Sequence, residues 1–208
     1  MPDWDNVFAK KGKYFTEPHP DMERLANLFR EKGVQRILDL GCGTGRHLLF
    51  LLKKGFEVYG LDGSSNGLKI AKNWLTDENL SSELTCQKIE HKFPYKDSFF
   101  DAVISIQVIH HNLMKDIEFT VNEIKRILKP KGFIFLTFPL RQGFYVKRQN
   151  MRKVEKRTYI PLVGQEKGLP HHFFTVAEVK RVFREFNLSE IYIDETNHRA
   201  ILGYKIEM

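Results

Sequence analysis

The spacing of apolar positions changes along this chain. From Pro20, which suits a first helical turn, Met22, Leu25, Leu28 and Phe29 recur at helical spacing until Gly33. Short apolar runs then alternate with helical ones. Gln35 to Leu40 (QRILDL) predicts a buried strand, followed by glycines and a helix from about Arg46 to Lys54. Phe56 to Leu61 (FEVYGL) predicts a second strand and Ser64 to Leu75 a second helix. Leu84 to Ile89 and Asp101 to Ile106 (DAVISI) predict a third and a fourth strand. Asp116 to Leu128 carries a helical apolar face at Ile117, Val121, Ile124 and Leu128, and Lys129 to Gly132 (KPKG) reads as a turn into a fifth strand, Phe133 to Phe138. Thr175 to Glu178 has the pattern of a capping box and opens a helix to Phe186, with Val179, Val182, Phe183 and Phe186 as its buried stripe. Leu188 to Ile193 and Ala200 to Ile206 close the chain as antiparallel neighbours across a short polar link. Met1 to His19 mixes polar and aromatic residues without a period.

Strands alternating with helices predict a parallel sheet covered on both faces. Right-handed crossovers then align the carboxyl ends of the first five strands along one edge, where such sheets bind ligands. The expected class is α/β, a single doubly wound domain over residues 1–208. With 208 residues and 42% hydrophobic content, the chain buries a core without covalent staples, and seventeen phenylalanines exclude a disordered polymer. Apolar runs such as Leu48 to Leu52 are too short to span a bilayer, and Met1 to Lys13 lacks the apolar core of a signal peptide. Cys42 and Cys86 are isolated thiols, neither a disulfide framework nor a zinc cluster. A reducing, cytoplasmic setting is expected.

The formal charge is +7, and its distribution matters more than its size. Between Arg141 and Arg157 seven basic residues stand against Glu155, so one segment carries +6 and the remainder is nearly neutral. The segment reads either as a solvated connector or as a lid that attracts an anionic partner.

Asp39-Leu40-Gly41-Cys42-Gly43-Thr44-Gly45 follows the first strand and leads into a helix. Glycines there let the backbone turn sharply and approach a ligand. A dinucleotide fold wants a third glycine where Arg46 stands, and Asp39 places a carboxylate where a pyrophosphate would be repelled. That carboxylate suits a ligand bearing an ammonium group. No Gly-Lys-Ser/Thr follows, so a P-loop is absent. Asp62, at the end of the second strand, can accept hydrogen bonds from both hydroxyls of a ribose, or it can cap the next helix. Together these residues describe a pocket for an adenosine carrying an amino acid.

ILDLGCGTGRH, VYGLDGS, FPYKDSFFDAVISIQVIHH and NEIKRILKPKGFIFLTF, in that order from about Ile37 to Phe138, resemble the motifs of class I S-adenosylmethionine-dependent methyltransferases. The likeness is greatest to the group of ubiquinone-biosynthesis and other small-molecule enzymes. It implies a Rossmann-like, seven-stranded, mostly parallel sheet with an antiparallel last strand. It also implies the cofactor S-adenosyl-L-methionine, with S-adenosyl-L-homocysteine as product. On this reading residues 1–33 are a cap and helix, 34–138 the cofactor-binding core, 139–174 an insertion serving as substrate lid, and 175–208 the closing helix and strands. Asp39 and the loop Gly41, Cys42, Gly43, Gly45 and Arg46 would surround the methionine portion. Asp62 would hold the ribose, with Gly63 and Ser64 beside the adenine. An acid usually follows the third strand; here Ile89 occupies that place and Glu90 the next, so the adenine contact falls to Glu90 or to backbone. Gln107 and Val108 would pass the sulfonium side. Tyr14 and Phe15 either close over the cofactor or pack the first helix.

Methyl transfer from a sulfonium is an in-line displacement, in which alignment can be worth about 7–11 kcal/mol, and a base is needed only for a protonated acceptor. His111, of the His110–His111 pair, is the first candidate for that role, with a plain polar role as its alternative. His172, of the His171–His172 pair, is the second, either lining the acceptor pocket or belonging to a hydrophobic staple with Phe173 and Phe174. No carboxylate or cysteine completes a ligand set at helical spacing, so no metal is expected.

The acceptor expected is a small molecule. AVISIQVIHH also resembles the matching stretch of enzymes that methylate wobble-uridine modifications in tRNA, which gives the basic segment a second meaning. Stacking aromatics are sparse there, limited to Phe144, Tyr145 and marginally Met151. A third reading is a non-catalytic cofactor-binding regulator.

Overall fold

A computed structural model describes residues 4–13, 15–142, 144 and 146–207. Its centre is β1 (Arg36–Leu40), β2 (Glu57–Asp62), β3 (Glu83–Cys86), β4 (Phe100–Ile106), β5 (Leu128–Pro139), β9 (Phe186–Ile193) and β10 (His198–Lys205). They form one seven-stranded sheet in the order β3-β2-β1-β4-β5-β10-β9. The first five pair in parallel, while β10 runs antiparallel to both β5 and β9. This is the α/β, doubly wound arrangement expected from the alternation of periods.

The period of two along each strand splits the core into two layers. Ile37, Ile104, Phe135 and Leu202 face α2 (Met22–Glu31), α3 (Arg46–Lys53) and α4 (Ser65–Asp77), whose Met22, Phe29, Leu48 and Ala71 close that side. Leu38, Val103, Leu136 and Ile201 face α5 (Met114–Ile127) and α6 (Val176–Val182), through Ile117, Ile124, Val179 and Phe183.

Several elements depart from the periodicity reading. The aperiodic N-terminus holds a helix, α1 (Trp4–Lys11), whose buried residue is Phe8. β3 stops at Cys86 instead of Ile89, because the chain turns inward to bury Ile89 and its carbonyl accepts a hydrogen bond from Thr120 Oγ1 at 2.9 Å. The KPKG turn is a bulge inside the β4–β5 ladder, with Lys131 at φ 60° and the register shifting between Phe100↔Leu128 and Ala102↔Phe133. α6 ends at Val182, since Phe183 turns into the core and β9 begins at Phe186.

The insertion is a folded layer and not a bare connector. β6 (Met151–Glu155), β7 (Thr158–Pro161) and β8 (His171–His172) make a second, antiparallel sheet. Val146, Met151 and Phe173 form its small core, with Phe144 and Tyr159 packed against it. Glu155, the single acid of the basic segment, ties this layer to the main domain. Its Oε1 accepts from the Met114 amide at the start of α5 (2.7 Å) and from Thr158 Oγ1 (2.9 Å).

Candidate functional site

Strand order reverses between β1 and β4, which opens a crevice at their carboxyl ends. Their pairing stops at Asp39↔Ile104, and beyond it Ser105 Oγ donates to the Leu40 carbonyl at 2.8 Å. The glycine loop leaves β1 at this split. Gly41, Gly43 and Gly45 adopt φ of 80°, 54° and 92°, a region that favours glycine. A Cβ at Gly41 would lie 2.3 Å from Val108 Cγ2, and one at Gly45 would lie 2.9 Å from Ala71 Cβ. Gly45 therefore supplies the close helix packing that a dinucleotide fold takes from the next position, and Arg46 is free of that duty.

Four of the loop's amides are already used. Gly41 and Cys42 amides reach the Leu61 carbonyl at 2.7 and 3.2 Å, Gly45 reaches the Cys42 carbonyl at 3.0 Å, and the Gly43 amide reaches Asp62 Oδ2 at 2.8 Å. These amides do not form a phosphate cradle. The crevice instead offers acceptors. Asp39 is 1% exposed, and its Oδ2 has no hydrogen-bond partner. Burial pushes its carboxyl up to about 7, with Asp62 adding to the rise and Arg46 opposing it. His47 Nδ1 stands 3.9 Å away, and burial holds that ring well below the usual histidine range. An unpartnered buried carboxylate of this kind is complementary to an ammonium group.

Asp62 is held between two backbone amides, Gly43 on Oδ2 and Ser64 on Oδ1 (2.7 Å). Burial raises its carboxyl, the two amides moderate the rise, and Asp5 adds to it. An ionised carboxylate has about four acceptor sites, so two remain for ribose hydroxyls. Ser64 caps α4 by accepting from the Gly67 amide at 2.9 Å, which relieves Asp62 of that task.

The other expected contacts divide into side chains and backbone. Gly63 is open, its nearest neighbour being Lys88, and a Cβ there would lie 3.5 Å from Lys88 Cγ. Ile89 points into the core and leaves only backbone to the crevice, whereas Glu90 is partly exposed beside Lys88 at 3.8 Å. Cys42 is buried toward β2, which pushes its thiol well up, so its backbone alone borders the crevice. Arg46 turns toward the 15–17 segment, donating to the Glu17 carbonyl at 3.1 Å with its guanidinium 5.0 Å from the Phe15 ring centre. Gln107 holds φ of 60°, uncommon outside glycine, with its amide 3.0 Å from Thr137 Oγ1. Val108 packs on Gly41. Tyr14 lies outside the described residues.

Two contributors have no signal in the motifs. Phe8 of α1 lies over the glycine loop, 3.2 Å from where a Gly43 Cβ would be. Asp5 of the same helix accepts from Ser64 Oγ at 2.7 Å and from the Asn66 amide at 2.8 Å. The Trp4–Phe8 spacing at i, i+4 was the available clue.

The histidines assemble differently from expectation. His110 and His111 follow β4, with ring centres 4.0 Å apart, and the residue that joins them is His171, whose ring lies 4.5 Å from His111. His172 is directed elsewhere. Its Nδ1 meets Thr158 Oγ1 at 2.8 Å, and its Nε2 faces Glu178 at 3.2 Å without the alignment of a hydrogen bond. Burial, with His171 adding and Glu166 opposing, takes His111 down to about 4, so this imidazole is neutral near pH 7. The Trp4 ring lies 6.2 Å from it.

Residues 38–136, a little under half of the chain, match the family model described as a methyltransferase domain. The chain is 29% identical over 101 residues to a ubiquinone biosynthesis O-methyltransferase of Bartonella bacilliformis, covering 49% of this chain and 40% of that one. The chain spans between 40% and 47% of the length of the first curated relatives it matches. The fold is that of a crystal structure of a SAM-dependent methyltransferase from Methanosarcina mazei, at a TM-score of 0.75 and 20% identity, covering 92% of this chain and all of that one. It is also that of a Burkholderia thailandensis 1,6-didemethyltoxoflavin-N1-methyltransferase, solved with its substrate and S-adenosylhomocysteine. There the TM-score is 0.68 and the identity 15%, covering 97% of this chain and 85% of the other. The family's cofactor fits the residues present. Asp39 offers an acceptor to its ammonium group, Asp62 keeps acceptor capacity for its ribose, and the glycine loop leaves room a Cβ would fill.

Proposed function

We propose that this protein transfers a methyl group from S-adenosylmethionine to a small-molecule acceptor. The observation that carries this reading is the orphaned Asp39 carboxylate beside a loop in which four amides are already bonded. That arrangement favours a cationic aminoacyl tail over a pyrophosphate. When bound, the cofactor supplies a methyl already activated on sulfur, so the protein's work is binding, alignment and exclusion of water. Asp39 and the Gly41–Gly45 backbone would hold the methionine portion, Asp62 the ribose, and Gly63, Ser64 and Glu90 the adenine side. Gln107 and Val108 would border the sulfur.

α1 and the insertion close this edge from two sides. Phe8 covers the glycine loop, and Lys11 Nζ reaches Gln165 Oε1 of the insertion at 2.7 Å. Of the two catalytic candidates, His111 is the one placed to orient an acceptor or take its proton. His172 serves as a positioning group that binds the insertion sheet through Thr158. A small acceptor is supported by the relatives' printed substrates and by the insertion's aromatics. Phe144 packs on His171 and Phe173, and Tyr159 on Phe173, which commits these rings to the insertion's own layer, while Tyr145 lies outside the described residues. Among the described residues no helix is long and apolar enough to cross a membrane. We place the protein in the cytoplasm on its unpaired thiols.

Calorimetry with S-adenosylhomocysteine and with NADH tests the site: uptake of the first and none of the second is expected, and the reverse would overturn the reading. Asp62→Ala should weaken S-adenosylhomocysteine by about 1.5–3 kcal/mol, the worth of hydrogen bonds to a charged group. Transfer of label from the methyl-labelled cofactor into a metabolite extract is expected, whereas binding without turnover would favour a regulator. Salt-sensitive retention on bulk tRNA with label entering that RNA would favour the nucleic-acid reading.

A further inference from the structure

We infer that His110, His111 and His171 bind a divalent transition-metal ion of the zinc class, with Glu166 beside two of them. The three imidazoles come from two separate elements, the segment after β4 and the start of β8. They are drawn together by the His172 amide, which donates to the His110 carbonyl at 2.9 Å. One ligand nitrogen from each ring lies within 4.8 Å of the other two. A tetrahedral site with Zn–N near 2.0–2.1 Å places its nitrogens about 3.4 Å apart, so small ring rotations complete the approach.

Orientation is the stronger argument. His171 Nδ1 lies 3.0 Å from the Leu169 carbonyl, and His111 Nδ1 lies 3.3 Å from the Pro170 carbonyl. Carbonyl oxygens only accept, so both Nδ1 atoms donate to backbone and each ring turns its Nε2 away from it. Both Nε2 atoms face the Glu166 carboxylate. Glu166 Oε2 is 3.1 Å from His171 Nε2, and its Oε1 is 3.7 Å from His111 Nε2. Backbone carbonyls holding the far nitrogen of each ring are also the outer support that metal-binding histidines ordinarily receive.

His110 adds a buried ring, 3% exposed, whose Nδ1 has no partner. Nitrogen donors in this number exclude magnesium and calcium, which take oxygen ligands, and three imidazoles suit zinc, cobalt or nickel. The cluster is two residues beyond Val108, which packs on the glycine loop. If the methyltransferase reading holds, the ion would favour an acceptor whose oxygen or sulfur can join its coordination, and His111 would act as ligand in place of base. The competing occupant is a proton shared between His171 and Glu166.

Untagged protein stripped with a chelator, then dialysed against Zn²⁺ alone, tests this. One equivalent per chain is expected, with Co²⁺ giving the visible bands of a four-coordinate site. His171→Ala and Glu166→Gln should each lower zinc affinity at least roughly tenfold, while His91→Ala, on an exposed turn, should not. Because His171 is fully buried, Glu166→Gln with an unchanged melting transition keeps the test decisive if the alanine variant does not fold. No bound zinc, or equal binding by all variants, would overturn the inference. S-adenosylhomocysteine calorimetry on the same samples separates the two claims: cofactor binding without zinc leaves the function and removes the metal, and zinc without cofactor does the opposite.

Discussion

Asp39 shows how one side chain sets the ligand class. Its carboxyl is pushed up to about 7 by burial, so near neutral pH the free protein holds it partly protonated. A ligand ammonium group stabilises the ionised form. Binding at pH 6 should therefore release close to one proton, and binding at pH 8 almost none, with affinity rising between them. Calorimetry in buffers of different ionisation enthalpy measures this, and Asp39→Asn should abolish the dependence. Asp39 and Asp62 were legible in the sequence because each stands at or next to the end of a strand at the ligand edge, a position set by local pattern and topology together. The paired amides on Asp62 were not legible, since Gly43 and Ser64 approach it from different loops. His171 was missed for the same reason: which member of a His-His pair turns inward depends on the strand that carries it.

At the scale of elements, most helices and strands follow from period and punctuation. Ser64 and Thr175 cap α4 and α6 as local rules predict, the Thr175 hydroxyl accepting from the Glu178 amide at 3.2 Å. Only half of that capping box forms, because Glu178 faces His172 and Arg157. The insertion escaped prediction since its strands are short and its core is only three buried residues. Its attachment to α5 runs through Glu155, whose carboxylate sits at a helix N-terminus with no side-chain cap of its own. Glu155→Ala should lower stability by about 1–2 kcal/mol, the loss of a cap plus a charged hydrogen bond, read by urea unfolding. An unchanged midpoint would mean that the insertion docks by its apolar core alone.

Across the whole molecule, polar contacts join segments far apart in sequence. His19 Nε2 meets Asp194 Oδ2 at 3.1 Å, linking the approach to α2 with the β9–β10 turn, and the His19 amide donates to His47 Nε2 at 3.2 Å. Burial alone would raise Asp194, but the His19 ring, the His198 amide and Thr196 outweigh it and hold the carboxyl down to about 2. A carboxyl depressed in the folded state stabilises it above the unfolded value of about 4, and that contribution fades as pH falls toward 2. Asp194→Asn should therefore cost on the order of 2 kcal/mol at pH 6 and much less near pH 2, measured by denaturant titration across pH. A constant difference at every pH would show that the pair contributes by shape alone.

By itself the sequence determined the alternation of strands and helices, the two-layer core and the glycine loop with its flanking acids. Those features arise from periodicity, glycine torsions and charge within a few residues. Tertiary structure alone decided which donors of the loop were already bonded, that α1 covers it, and that His110, His111 and His171 come together with Glu166 beside them. These depend on how separate segments meet, which is set by packing across the sheet edge and leaves little trace in local spacing.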